Sequence, residues 1–115
     1  MRFMVIVKAN KDSEAGALPT KKMLTEMGKF NEELVQAGVM QAADGLHPSS
    51  KGARVKFSGG TTTVIDGPFA ETKELVAGYA ILNAKSKAHM IELTKRIAKA
   101  LGGDGVLEIR QLHEG

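Results

Sequence analysis

The sequence predicts an α+β sandwich, one antiparallel sheet with two helices packed on one of its faces. Three observations carry this expectation. The chain of 115 residues suits one compact domain. Short apolar runs at 3–8, 39–43, 75–82 and 106–112 alternate with two segments of helical periodicity. Between the second and third runs, Ser58-Gly59-Gly60 separates two further short runs in the manner of a β-hairpin.

Phe3 to Lys8 is apolar at nearly every position, the pattern of a strand buried on both faces. The polar stretch NKDSEAGAL at 10–18 reads as a surface loop. A helix follows Pro19-Thr20, with Thr20 suited to the N-cap and Met23, Met27, Phe30 and Leu34 on one face. Gly38 can take the left-handed position that ends it. Gly28 inside this helix costs roughly 1 kcal/mol against alanine, a cost consistent with close approach to a sheet.

Val39 to Ala43 is the second strand, and Asp44 to Pro48 reads as the turn that ends it. Ala53–Phe57 and Thr61–Ile65 form the inserted hairpin. After the turn Asp66-Gly67-Pro68-Phe69 comes the strand Leu75–Leu82. Ser86 caps a second helix buried along Met90, Leu93, Ile97 and Leu101, and Gly102-Gly103 stops it before the last strand, Val106–Leu112. The order β-α-β-hairpin-β-α-β describes a ferredoxin-like antiparallel sheet with one inserted hairpin, in a single domain over 1–115. Two helices cover only one face of such a sheet. The runs FMVIV and LVAGYAIL are apolar toward both. A second copy under two-fold symmetry is the simplest cover, so a homodimer is expected.

Composition narrows the function classes. There is no cysteine, hence no disulfide, thiolate metal site or cysteine nucleophile. No run approaches a membrane span or a signal segment, so a cytoplasmic chain without membrane association is expected. The net charge of +3 and pI near 9.3 raise nucleic acid as a partner. Sixteen basic residues scattered among 13 acidic ones, with 4% aromatic residues, argue against it.

The segments RFMVIVKA at 2–9, FNEELVQAGVMQAADGLHP at 30–48, VIDGPFAETKELVAGYAIL at 64–82 and VLEIRQL at 106–112 resemble the YCII-related superfamily, in its DGPF-domain branch. That resemblance implies a dimeric α+β barrel in which two sheets face each other across a cleft. It also implies association with alternative sigma factors for some members. Relatives of the same barrel architecture include ring-lactone isomerases, a dehydrochlorinase and monooxygenases, and fold alone does not choose a reaction. The His–Asp pair suggested in the YCII branch has its histidine in the N-terminal half, and this chain has no histidine before His47.

The charged turn at 66–74 supplies the candidates. Asp66 is read either as a corner residue hydrogen-bonded by amides near Phe69–Glu71 or as a general base at the cleft edge. Glu71 is read as a surface charge or as the second member of a carboxylate pair with Asp66. His47 is the neutral-pH proton partner if its turn folds over the cleft. Lys73, Tyr79 and Phe69 are the expected ligand contacts, with Phe69 also read as a core plug. His89 is expected to face solvent, and His113 lies in the C-terminal tail. No metal and no cofactor is expected. Two functions follow: a cofactor-independent isomerase or lyase acting on a small carbonyl or lactone-like substrate, or a non-catalytic ligand-binding or regulatory module beside a sigma factor.

Overall fold

The computed structural model describes residues 1–17, 20–71, 74–102 and 104–114. The elements in chain order are β1 (Arg2–Lys8), α1 (Lys11–Glu14), α2 (Lys21–Gln36), β2 (Met40–Gly45), β3 (Ala53–Ser58), β4 (Thr61–Asp66), β5 (Val76–Asn83), α3 (Lys87–Leu101) and β6 (Leu107–Gln111), with a short 3-10 turn at Ser49–Lys51. Strands β2-β5-β1-β6 form one antiparallel sheet in that order, and β3-β4 form a separate ribbon. This is the ferredoxin-like α+β arrangement with an inserted hairpin.

Local chemistry explains the helix limits. The Thr20 side chain accepts the Met23 N–H at 3.2 Å, and Ser86 accepts the His89 N–H at 3.1 Å. Helix α2 ends where Gly38 turns to φ +73°, and α3 where Gly102 turns to φ +70°. Helix α1 replaces the expected surface loop because Asn10 and Ser13 form a reciprocal capping box. In the ribbon, Gly59 and Gly60 both take positive φ, 54° and 82°, as a two-residue hairpin of matching twist requires.

The core lies on the helix side of the sheet. Phe3, Val5 and Leu82 point down from the strands onto Leu34 of α2 and Met90, Leu93 and Ile97 of α3. Phe30, Met40, Ala80, Leu107 and Ile109 close its edges. The opposite face carries Arg2, Met4, Ile6 and Lys8 of β1 and Tyr79 and Ile81 of β5, because side chains alternate along a strand. No helix covers that face among the described residues, and the molecule is only 20 Å thick, room for one sheet and one helix layer.

Gly28 departs from its expected role. A Cβ built there meets nothing within 4 Å, so it lies against no strand. Gly28→Ala is therefore expected to raise unfolding stability by about 1 kcal/mol, through helix propensity and a less flexible unfolded chain. Urea denaturation checks it, and an unchanged midpoint contradicts the open placement.

Candidate functional site

The DGPF turn is first a joint. Asp66 continues β4 and pairs with Ala53 across the ribbon. The next residue, Gly67, donates its N–H to the Gly52 carbonyl at 3.0 Å. Its α-carbon lies so close to the 3-10 turn that a Cβ would fall 1.7 Å from the Ser49 carbonyl oxygen. Ser49 Oγ accepts the Phe69 N–H at 3.1 Å and donates its own proton to Glu14 Oε2, while Glu14 Oε1 accepts the Ser49 N–H at 3.0 Å. One carboxylate of α1 thus holds the 3-10 turn, and that turn holds the DGPF corner. Phe69 is half-buried beneath Arg54, whose guanidinium carbon stands 3.9 Å from the ring centroid. It stacks under a cation and is not the expected core plug.

The side chains expected to act from this turn are spread over the surface. Asp66, His47 and Glu71 are all exposed. Among the described residues no side-chain hydrogen bond reaches Asp66. The amide of Phe69 turns to Ser49 instead, so the amide bonding expected of Asp66 is not found among the described residues. The loop of His47 and the turn of Asp66 meet through Ser49 and Gly52, which contact Gly67 and Phe69, and no side-chain hydrogen bond among the described residues joins His47 to Asp66. Lys73 lies outside the described residues. His89 is half-buried, and its Nδ1 accepts the Lys85 N–H at 3.0 Å, which makes it part of the start of α3 and not a purely solvent-facing group. His113 is exposed. Among the described residues, the concavities lined by Val7 and Gly102, by Ala80 and Ile97, by Met23 and Lys99 and by Lys8 and Val106 include none of Asp66, His47, Glu71 or Phe69. Among the described residues no three His, Asp or Glu side chains gather as a metal site would.

Tyr79 does enter a polar arrangement, with a partner that the sequence placed in a turn. Asp44 belongs to β2, opposite Tyr79, and the Tyr79 hydroxyl donates to Asp44 Oδ2 at 3.0 Å. The register runs on through Ile6 of β1 to Glu108 of β6, so Asp44, Tyr79, Ile6 and Glu108 form one row across the uncovered face. Glu108 is held at the far end by Lys8 at 3.4 Å and Arg110 at 3.3 Å. The next row, Ala42, Ile81, Met4 and Arg110, is mostly apolar. The face therefore has an apolar centre, a carboxylate–phenol pair at the β2 edge and a basic cluster at the β6 edge.

A β-bulge aims Asp44. Met40 pairs with Leu82 but Ala42 with Ile81, so β2 contains one residue more than β5 over this stretch. The extra residue reverses the facing of everything after it, and Asp44 turns to the open face instead of the helix side. The signal in the sequence was only the pairing of Asp44-Gly45 with an apolar run. That fits a turn equally well.

The hydrogen bond to Asp44, then the repulsion between its charge and a phenolate, raise the Tyr79 pKa above its ordinary value of about 10. On the other edge, Arg110 and Lys8 hold the Glu108 carboxyl below its ordinary range. The signs differ. The Tyr79 contribution to stability is fully present below about pH 10 and is lost as pH rises through the raised folded value. That of Glu108 is present above about pH 4.5 and is lost as pH falls through its lowered value. Tyr79 is the only tyrosine, so phenolate absorbance reads it directly. It is expected to titrate above free tyrosine in the native protein and to move back toward it in Asp44→Ala. Equal curves for the two proteins contradict the pair.

The whole chain also compares with known proteins. A model of the YCII-related domain matches residues 1–114. An uncharacterised protein of Rhizobium meliloti (strain 1021) is 28% identical over 92 residues, which cover 80% of this chain and 74% of that protein. No helix among the described residues is long and apolar enough to cross a membrane. With the sheet order, the inserted hairpin and the DGPF corner in place, the chain belongs to the YCII-related domain family.

Proposed function

We propose that two copies of this chain stack their uncovered sheet faces and enclose a cleft that moves protons on a small carbonyl or lactone-like substrate, a cofactor-independent isomerase or lyase. The observation that carries this reading is the Asp44–Tyr79 pair, a carboxylate and a phenol bonded at 3.0 Å on the face that the second copy would cover. Tyr79 holds one carboxylate oxygen, and the other remains to take a proton from carbon. The apolar centre of Met4, Ile6 and Ile81 supplies the surface that association removes from water. His47 follows the Asp44 end of β2, Asp66 ends β4, and Glu71 lies between β4 and β5. In this reading they flank the cleft mouth as further acid–base groups.

The test has two parts. Sedimentation at micromolar concentration should give a dimer, twice the 12.3 kDa chain. In deuterated water, a panel of small enolisable ketones and unsaturated lactones should include members whose α-protons exchange faster with protein than with buffer. Asp44→Asn should abolish that exchange while leaving the dimer intact. A monomer overturns the cleft. A dimer that accelerates no exchange, or an Asp44→Asn protein that retains it, overturns the chemistry.

A further inference from the structure

The open face is polarised in a way that the proton-transfer reading does not require, and the consequence rests on that reading. Asp44 stands on the β2 edge. Lys8 and Arg110 surround Glu108 on and beside the β6 edge, one positive charge in excess. The two edges are three strand spacings apart, about 14 Å at roughly 4.8 Å each. A ligand of a few carbon atoms does not bridge Asp44 and Arg110 over that distance within one protomer.

Two in-plane two-fold axes can stack such faces. An axis running across the strands places β2 over β2 and sets Asp44 against Asp44, with the basic clusters likewise opposed. An axis running along the strands places β2 over the β6 of the second copy and sets each Asp44–Tyr79 pair over the other copy's Glu108 with the Lys8 and Arg110 that surround it, a cluster of net charge +1. Charge complementarity selects the second. Stacked sheets lie about 10 Å apart, within joint reach of an Asp–Tyr pair on one side and an arginine on the other. Arg110 has donors to spare. Only one of its nitrogens meets Glu108, and its side chain is 72% exposed.

We infer that each site is shared, with Asp44 and Tyr79 from one copy and Arg110 from the other, and that its ligand is a small carboxylate carrying an enolisable carbonyl. Arg110 takes the carboxylate through paired N–H donors. Asp44 removes a proton from the carbon next to the carbonyl, the C–H electron pair forms the enolate, and the guanidinium faces the resulting negative charge. Return of the proton to the same carbon gives exchange. Where a C=C adjoins that carbon the pair delocalises as a dienolate, so that protonation at the far alkene carbon shifts the double bond, an isomerisation with no oxidant or reductant. Arg110 thus touches the ligand, whereas Tyr79 positions the base.

The probes are 2-oxobutyrate and its neutral methyl ester, followed by NMR for binding and for deuterium incorporation. The acid should bind wild type at least about tenfold more tightly than the ester, the scale of one charge-assisted hydrogen bond. Arg110→Ala should erase that preference and lose the exchange of the acid. Asp44→Asn should still bind the acid but exchange nothing. Mixing the two inactive variants decides the sharing. Re-equilibrated mixed dimers regain one complete site, so about a quarter of wild-type exchange should return under random pairing. No recovery, with dimers confirmed by sedimentation, overturns the shared site. Equal binding of acid and ester overturns the carboxylate ligand. Binding of the acid without exchange in wild type strikes the proton-transfer reading and leaves the anion site standing.

Discussion

Gly67→Ala is expected to cost about 3 kcal/mol or more of unfolding stability, the upper end for overpacking. The new methyl would lie 1.7 Å from the Ser49 carbonyl oxygen, and the obstructing atom is backbone. That backbone cannot withdraw freely, since Glu14 holds Ser49 by both its amide and its hydroxyl and Phe69 bonds to the same hydroxyl. The ribbon, the 3-10 turn and α1 would have to separate together. Gly45→Ala is the control, because a Cβ there meets nothing within 4 Å. It should change stability by no more than about 1 kcal/mol. Chemical denaturation of the two variants side by side checks the contrast. Similar midpoints would mean that the corner is looser than its geometry states.

Leu82→Ala and Ile81→Lys should fail in opposite ways although the residues are neighbours. Leu82 has no exposed surface and sits among Phe3, Met40 and Met90, so truncation should cost about 2–5 kcal/mol of protomer stability through lost burial and a residual cavity. Its side chain does not reach the open face, and association of the folded protein should be unaffected. Ile81 points the other way, opposite Met4 and Ala42. A lysine there leaves the helix-side core intact but places an unpaired charge in the middle of the proposed interface, which costs several kcal/mol if it is buried. The expected result is a folded monomer. Thermal denaturation and sedimentation on both variants separate the two outcomes, and an Ile81→Lys dimer of normal strength would remove the sheet-to-sheet assembly.

These contrasts mark what could be read from residues alone. The element order followed from apolar periodicity. The helix starts followed from Thr20 and Ser86 and the helix ends from Gly38 and Gly102, because caps are local chemistry between residues a few positions apart. The hairpin followed from Gly59-Gly60, since only residues tolerant of positive φ make that turn. The site did not follow in the same way. Asp66 drew attention through charge density along the chain, whereas the bonded carboxylate–phenol pair is made with Asp44, two strands earlier.

Tertiary structure alone decided which way Asp44 faces. Its orientation depends on one extra residue in the pairing of β2 with β5, and register belongs to the two strands jointly and to neither one separately. The same holds for the Glu14–Ser49–Phe69 chain, whose members are 35 and 20 residues apart. The sequence by itself determined the order of the strands and of the two long helices and the caps that bound those helices, because those choices rest on local backbone preferences and hydrogen bonds. Long-range pairing then decided which polar side chains meet, because contact between distant residues is set only when the sheet assembles.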